Sequence, residues 1–388
     1  MGLSNFQLYR DTNKLPSSWD ELAHHDIFLK KSFLAALEAS SPQNISSFFL
    51  GVYKNDTLVA IAVIQRVEVY YEDIFRKSNV SFWANLGKRL VSKIVRGNAL
   101  VVGNLMHTGH HGFAYDPNLI HMREFLETIK QALSTIENIV KNDFGKKIRI
   151  IAFKDYFEDN PIHDQSDFFE TNKFYKVRVQ PNMIFELPKD WKSPNDYIAS
   201  FNKKYRRRYK TALKKKQPIQ VKELSLDAIS THQERLFELY ENVSDNAKVN
   251  SFKLDKAHFY HLKAQLNDDF KLFAYVLKEE IVGFFTLILN VKEVETYFLG
   301  YEPALQHPHQ MYLNMLFDMA SFGINHGFER VVFARTAMEI KSSVGAKPQE
   351  MSIYLKHTNN LLANSILKFI VKYMNPIRQW EERHPFSE

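Results

Sequence analysis

The sequence contains the same order of secondary-structure patterns twice, and this repeat constrains the fold more than any other feature. The first half predicts a strand at 48–53, a turn at Asn55-Asp56 and a returning strand at 58–69. The second half predicts the same hairpin at 272–291, with Glu279-Glu280 in the turn. An offset of 224 residues aligns three residues of each hairpin, namely Phe49, Val52 and Lys54 with Phe273, Val276 and Lys278.

The likeness between the halves continues beyond the hairpins. A predicted helix at 121–141 leads to a strand at 148–153, and a predicted helix at 311–326 leads to a strand at 330–335. A repeated unit of well over a hundred residues indicates a duplicated domain, because solenoid repeats are far shorter. We therefore predict two domains at residues 1–185 and 186–388. Each is expected to be an α/β (α+β) domain with a mixed sheet flanked by helices.

The composition narrows the class of protein. Of the 388 residues, 45% are hydrophobic, which is enough for two cores, and none is cysteine. The missing cysteines exclude disulfides and thiolate metal sites and fit a reducing compartment. The sequence starts without an apolar signal core, and no apolar run approaches the roughly 20 residues that span a bilayer. We expect a cytoplasmic protein, with contact to the inner membrane face as an option.

Two basic segments suggest anionic partners, in line with the formal charge of +7. Residues 81–96 form a basic amphipathic pattern that fits a membrane surface, an acyl-chain cover or ordinary core packing. A second helix is expected after the N-cap residue Ser193, with an apolar stripe at Phe201, Tyr205, Tyr209 and Leu213. Its other faces carry nine cations between Lys203 and Lys216, and no acidic residue occurs from Tyr197 to Lys222. It is either a solvated face or a site for phosphates.

Histidines cluster in the loop H-T-G-H-H-G at His107 to Gly112. Their spacing does not match a usual zinc ligand set, so we predict no metal site. His110 or His111 could act as a general base in a cleft, but a solvated loop is the favoured interpretation. A late helix is expected at 361–374, with Leu362, Ile366 and Phe369 on its apolar face.

The stretch Glu329 to Ala346 contains the strongest single candidate for chemistry. Val331, Val332 and Phe333 predict a buried strand, and Lys341 follows six residues after its end. In α/β folds, ligands bind just past the carboxyl ends of strands. On local evidence alone, a surface lysine in a connecting loop is the favoured interpretation of Lys341.

Three segments together resemble a known family. They are V-E-T-Y-F-L-G-Y-E-P-A-L, a helix ending S-F-G-I-N-H-G-F-E-R-V-V-F-A-R-T, and I-K-S-S-V-G-A-K-P. They are similar to the C-terminal half of tandem acetyltransferase-fold (GNAT) proteins, which include the Fem-type peptidoglycan aminoacyl transferases and BioF2-like acetyltransferase domains. The basic helix also resembles the helix that opens the second domain in that family. The resemblance implies a bacterial acyltransferase with two GNAT-like domains.

The resemblance also implies roles for particular residues. Lys341 matches the lysine of the family's K-x-x-F-G pattern, implied to contact substrate or to stabilise developing negative charge, and Val344 replaces the aromatic. Arg335 matches the arginine at the end of the preceding strand, and Val332 stands where many members have aspartate. We add Tyr301 and His309 as candidate catalytic residues. Four further residues are candidates for substrate or phosphate binding: His307, Lys204, Arg207 and Arg208.

The segment L-Q-H-P-H-Q-M stands where acetyl-CoA users of this fold carry a glycine-rich phosphate loop. It contains no glycine, and Pro308 removes one N–H donor. The donor is therefore left open among acyl-CoA, acyl carrier protein and aminoacyl-tRNA. The acceptor would be an amine on a small or lipid-linked envelope precursor. The alternative is an inactive tandem-GNAT protein that binds an anionic membrane or nucleic acid through Lys203–Lys216.

Overall fold

The computed structural model describes residues 5–69, 97–245, 252–359, 361–374 and 380–387. The chain forms two compact units. Unit 1 comprises Met1–Val179, Lys248–Asp255 and Glu350–Ile377, and unit 2 comprises Gln180–Ala247, Lys256–Gln349 and Arg378–Glu388. The basic segment predicted at 81–96 lies outside the described residues.

Unit 1 is a mixed sheet with helices. Its strands are β1 (Asn5–Tyr9), β2 (Ile45–Lys54), β3 (Thr57–Val69), β4 (Gly97–Val102), β5 (Phe113–Tyr115), β6 (Ile148–Phe157) and most of β13 (Lys347–His357). Its described helices are α1 (Trp19–Leu22), α2 (Lys31–Ala39), α3 (Met122–Phe144), α4 (Ser166–Thr171) and α13 (Leu361–Met374). The strand order is β1-β2-β3-β4-β6-β13, with β5 paired to β3 and only β4 and β6 parallel among the described pairs. The core lies where the apolar face of α3 packs on these strands, through Phe125, Ile129 and Ile136 among others.

Unit 2 repeats this architecture. Its strands are the second half of β7 (Tyr175–Glu186), β8 (Gln220–Glu223), β9 (Phe270–Leu277), β10 (Glu280–Asn290), β11 (Glu293–Tyr301) and β12 (Arg330–Val332), in the order β7-β12-β11-β10-β9-β8. Its helices are α5 (Pro194–Ser200), α6 (Lys203–Lys216), α7 (Leu226–Thr231), α8 (Gln233–Ser244), α9 (His258–Leu266), α10 (Pro303–His309), α11 (Met311–Asn325) and α12 (Met338–Ser342). The parallel pair is β11 and β12. The core is formed by α11 and the strand faces beneath it.

The units are not continuous in the sequence. Strand β13 follows the main segments of unit 2 in the sequence but pairs antiparallel with β6 in unit 1. The second half of β7 begins the first segment of unit 2 and pairs antiparallel with β12, where Val331 lies opposite Phe185. A cut at the predicted boundary between 185 and 186 would therefore separate β13 from the rest of the unit 1 sheet.

The two hairpins are confirmed as a structural repeat, but with a different register from the sequence alignment. The left-handed turn residues are Asn55 and Asp56 in the first hairpin and Lys278 and Glu279 in the second. Both hairpins also contain a β-bulge on the returning strand. The turns are related by an offset of 223, so the offset of 224 is wrong by one residue. Side chains alternate between the faces of a strand, so this slip assigns aligned residues to opposite faces of the sheet.

Three local expectations are corrected. The segment L-Q-H-P-H-Q-M, expected at the position of a phosphate loop, lies in helix α10 and at the start of α11; α10 begins at Pro303, whose missing N–H is not needed at the first helical position. Strand β12 ends at Val332, because Ala334 adopts a left-handed φ of 58°. On α13, Leu362 and Phe369 are exposed and Leu367 is buried, so the predicted apolar face points outward.

The histidine loop of unit 1 is buried, so the solvated-loop interpretation is wrong. His107 stacks on Phe28 with ring centroids 3.9 Å apart, and the His111 ring lies 2.7 Å from a carboxylate oxygen of Asp26. Burial lowers the pKa of His107 well below its usual value and the pKa of His110 to about 4. Both rings are therefore neutral at pH 7.

Among the described helices, none is long and apolar enough to cross a membrane.

Candidate active site

The parallel strands of unit 2 diverge after a short contact. Glu293 to Glu295 of β11 pair with Arg330 to Val332 of β12, and β11 then continues to Tyr301 paired with β10 but not with β12. The chain beyond β12 turns toward β7 instead, where the Phe333 N–H donates to the Met183 carbonyl at 2.8 Å. The divergence opens a gap at the carboxyl ends of two neighbouring strands, which is the usual position of a ligand site in an α/β sheet.

The turn after β12 has an unusual backbone. Ala334, Thr336 and Ala337 all have left-handed φ values, of 58°, 69° and 47°. Left-handed backbone at non-glycine residues stores roughly 1–3 kcal/mol each and persists only where surrounding contacts impose it. Such strain concentrates at functional sites, so this turn marks a candidate site independently of any motif.

Lys341 is one of the contacts that impose this conformation. It lies on the short helix α12, is 4% exposed, and its Nζ donates to the carbonyl oxygens of Ala334 at 3.1 Å and Arg335 at 2.6 Å. Burial lowers the pKa of Lys341 to about 7, because the ammonium loses hydration. Desolvation also lowers the pKa of the partly buried Arg335 to about 10. Lys341 is therefore not the surface lysine of the alternative interpretation.

A cationic cavity lies beside this turn, at the N-terminus of α11. It has a volume of about 290 Å³ and is lined by Arg208, Lys215, Gln306, His307, Gln310, Leu313 and Ile340. Gln310 adopts a left-handed φ of 47° and connects α10 to α11. The N–H groups of a first helical turn carry partial positive charge, and two cations of α6 add to it. Ile340 lies on α12 directly before Lys341, so the cavity borders the helix that carries Lys341.

The cations of helix α6 line two separate sites, the cavity described above and an outer groove. Its start is fixed by Asn202, whose side chain accepts from the N–H groups of Lys204 and Tyr205. Tyr205 and Ala212 are buried, whereas Leu213 is 48% exposed, so the predicted stripe does not continue to Leu213. The helix repeats every 3.6 residues, and a four-residue spacing drifts off the buried face. An outer groove of about 570 Å³ is lined by Lys203, Arg206, Arg207, Lys210, Thr211 and Lys214.

The structure brings some of the predicted site residues together and separates others. His307 and Arg208 line the same cavity, and Arg207 lines the outer groove. Lys204 is exposed and lies over the Tyr205 ring at 5.4 Å. His309 lies next to the cavity, where its Nδ1 contacts the Lys215 carbonyl oxygen at 2.8 Å.

Tyr301 is the last residue of β11, in the part of the strand that is not paired with β12. Its partial burial raises the pKa of its hydroxyl. Sequence reasoning missed Lys215, Gln306 and the segment 380–387. Lys215 was hidden within a uniform run of cations. The aromatic residues Trp380 and Phe386 were the only signal in the last segment.

These features define the fold class: the chain is a tandem GNAT-fold protein. Residues 199–342 match the family model of the acetyltransferase (GNAT) domain. The chain is similar to the crystal structure of FemX, with a TM-score of 0.55 and 11% identity over 94% of this chain and 100% of that one.

A second similar structure is a tandem GNAT protein from the clavulanic acid biosynthesis pathway, solved without acetyl-CoA. It has a TM-score of 0.50 and 6% identity over 91% of this chain and 98% of that one. At these identities the likeness concerns the fold. No curated protein matches the sequence.

Proposed function

We propose that the protein is an N-acyltransferase that moves an acyl or aminoacyl group from a phosphate-bearing donor to an amine acceptor. The observation that carries the proposal is the cationic cavity at the N-terminus of α11, which borders α12 through Ile340, the residue before Lys341. The GNAT-type fold supports acyl transfer as the class of reaction. The acceptor would be an amine of a small or lipid-linked molecule.

In the proposed arrangement, Arg208, Lys215 and His307 hold donor phosphates, because charge-assisted hydrogen bonds are the strong ones. The acyl carbonyl then lies in the gap between β11 and the turn after β12. The acceptor nitrogen attacks the carbonyl carbon, the new C–N bond forms, and the C–S or C–O bond to the donor breaks. The proton of the amine leaves with the released thiol or hydroxyl, or passes to solvent.

Positive charge beside the carbonyl would stabilise the oxyanion of the tetrahedral intermediate. We assign this role to Lys341, assisted by Arg335, and assign Tyr301 and His309 to positioning of the substrates. With a pKa of about 7, Lys341 is charged in about half of the molecules at neutral pH. The rate advantage over a Lys341→Met variant should therefore fall as the pH rises through 7.

A binding panel tests the donor class. Thermal stability would be measured with acetyl-CoA, long-chain acyl-CoA, acyl carrier protein and charged tRNA, each at two salt concentrations. Any true donor should raise the Tm of the wild type and should lose that effect in an Arg208→Ala, Lys215→Ala variant. The exposed Lys222 of β8 supplies the control substitution Lys222→Ala. Equal stabilisation of all three proteins would place the donor elsewhere.

The outer groove favours tRNA as the donor over the other three candidates of the panel. Lys203, Arg207, Lys210 and Lys214 lie along one side of α6, and within the described ranges none of them forms an ion pair. Unpaired cations of one sign repel one another and are relieved by a polyanion. A tRNA donor predicts binding that weakens steeply with salt, whereas a CoA donor predicts salt-tolerant binding.

The same groove supports a second candidate function, an inactive binder of nucleic acid or anionic membrane through Lys203–Lys216. A Lys341→Ala variant distinguishes the two functions. The transferase proposal predicts retained donor binding with lost turnover. The alternative predicts unchanged binding and no turnover by either protein with any donor.

A further inference from the structure

Residues 380–387 form a strap in unit 2 that contacts the starts of two functional segments. On one side, the Asn202 N–H donates to the Pro385 carbonyl at 2.9 Å and the Ser387 N–H donates to the Ser200 carbonyl at 2.9 Å. These bonds form a short antiparallel bridge between Phe201 and Phe386. The strap is therefore attached to the chain immediately before the basic helix α6.

On its other side the strap contacts α12, the helix that carries Lys341. The Arg383 N–H donates to Ser342 Oγ at 3.0 Å, and the Glu381 N–H donates to a carboxylate oxygen of Glu339 at 3.4 Å. The Arg383 guanidinium lies 3.7 Å from the same carboxylate. An exposed ion pair of this kind contributes little by itself, so the backbone bonds and the ring described next matter more.

The Phe386 ring is the centre of the strap. It stacks on Phe201 with centroids 5.7 Å apart and on Phe185 with centroids 5.8 Å apart. It also lies against Gly345, where an added Cβ would be 2.6 Å from Phe386 Cζ. Gly345 has a φ of 113°, which L side chains rarely adopt. Both the backbone conformation and the ring thus require glycine at this position.

We call residues 334–346, which include α12, the Lys341 turn. Its conformation depends on contacts from residues outside this segment. Helix α12 has five residues, too few to be stable alone, and its N-cap Ala337 makes no side-chain cap bond. The residues before α12 hold the strained left-handed backbone. Three described contacts brace the far side of the turn: Phe386 and Phe185 lie against Gly345, and the Tyr197 hydroxyl donates to the Val344 carbonyl at 2.6 Å.

We propose that Phe386 is a positioning residue, and that the 380–387 strap latches the Lys341 turn onto the start of the basic helix. The latch keeps the Lys341 amine buried and aimed at the carbonyl oxygens of Ala334 and Arg335. This inference rests on the proposed function only in assigning a catalytic purpose to Lys341. The latch itself is a property of the folded chain.

The latch is tested without any turnover assay. Lysine amines would be labelled by reductive methylation on the full chain, and the rate at Lys341 would be followed by mass spectrometry. Exposed Lys203 in the same sample serves as the internal reference. Phe386→Ala should raise the relative labelling rate of Lys341 by at least about tenfold, because local opening exposes the amine. Phe386→Leu, which keeps most of the packing, should restore most of the protection.

Phe322→Ala is the matched control, since Phe322 is also a partly buried phenylalanine of the unit 2 core but lies on α11. It should lose stability without exposing Lys341. Equal labelling in the wild type and Phe386→Ala, or equal exposure in Phe322→Ala, would overturn the latch. If circular dichroism shows Phe386→Ala to be unfolded, the same comparison is made on Phe386→Val, which keeps less of the packing than Phe386→Leu and should label Lys341 faster than Phe386→Leu does; equal labelling in the wild type and Phe386→Val would then overturn the latch.

Transfer assays then separate this inference from the function. If the function holds, Phe386→Ala should lower kcat with little change in the donor KM, because the donor cavity does not include Phe386. Restored activity in Phe386→Leu would support positioning. Loss of Lys341 protection with no turnover by any protein would leave the latch standing and would reject the transferase.

Discussion

Each unit contains one described parallel strand pair, β4 with β6 in unit 1 and β11 with β12 in unit 2. The two pairs differ in how far the first strand continues beyond the paired residues. In unit 1, β4 pairs with β6 up to its last residue, Val102. In unit 2, β11 pairs with β12 only up to Glu295 and then runs on for six residues. Within the described residues, unit 1 fills the region beyond β4 with buried histidines, whereas unit 2 has a strained turn and a cationic cavity there.

This comparison teaches that one fold can serve two purposes after duplication. The region beyond β4 in unit 1, where buried polar side chains have partners within the unit, favours stability. An open pair, with a lysine of lowered pKa and strained backbone beside it, gives up stability for a site. We therefore place the proposed chemistry in unit 2 and expect substitutions in unit 1 to act through folding.

The largest expected effect is on stability as a function of pH, and it differs between the units. The pKa of Lys341 is lowered from 10.5 to about 7, so the unfolded chain binds more protons between these values. The free energy of unfolding should therefore rise with pH in this window. Relative to Lys341→Met, the wild type should gain up to about 4 kcal/mol between pH 7 and pH 10. Urea titrations of both proteins at several pH values measure this difference.

The matching residue in unit 1 is His110, whose pKa is lowered from 6.5 to about 4. Its contribution should rise with pH between about 4 and 6.5 and stay flat above that range. His110→Phe compared with the wild type isolates it. A pH dependence of Lys341→Met identical to that of the wild type would show that Lys341 is not buried as an amine.

The next largest effect is on catalysis. Lys341→Met should lower the transfer rate by about 10²–10³-fold, the usual effect of removing one oxyanion-stabilising group. Unit 1 offers the matched control Lys154→Met, since Lys154 is a partly buried lysine that donates to the His107 carbonyl and pairs with Asp155. This control should lose stability and keep its rate per folded molecule. A comparable rate loss in Lys154→Met would break the comparison between the units.

A smaller effect is expected at the donor cavity. Arg208→Ala should raise the donor KM by about tenfold with little change in kcat, in keeping with the loss of one charge-assisted hydrogen bond. Saturation kinetics with the donor found by the binding panel measure both constants. Unchanged KM would argue that the cavity does not hold the donor.

The smallest effect is expected at the outer groove. It distinguishes the two candidate ligands of the groove, tRNA and an anionic membrane. If the donor is a tRNA, Lys210→Gln should reduce the salt slope of binding by about one. If the groove binds membrane, Lys210→Gln should leave tRNA binding unchanged and weaken sedimentation with anionic vesicles. Uncharged phosphatidylcholine vesicles are the control.

Much of the fold was predictable because the signals are local. Hydrophobic periodicity identified α3 and α11, and turn residues identified both hairpins, since these elements depend on neighbouring residues. The one-residue slip in aligning the hairpins arose because the alignment followed three pairs of identical residues. The turns and the bulged residues Val59 and Val282 are instead related by 223 positions, and backbone geometry of this kind is not visible in side-chain identity.

The sequence by itself determined the duplication, the tandem GNAT-type architecture, the basic helix, and Lys341 as the residue to examine. Only the tertiary structure decided that β13 joins unit 1, that α6 divides its cations between a cavity and a groove, and that Phe386 braces the Lys341 turn. The physical reason is range. Periodicity and capping act over a few residues, whereas burial, lowered pKa values and strained backbone arise from groups that lie far apart in the sequence and meet only in the folded chain.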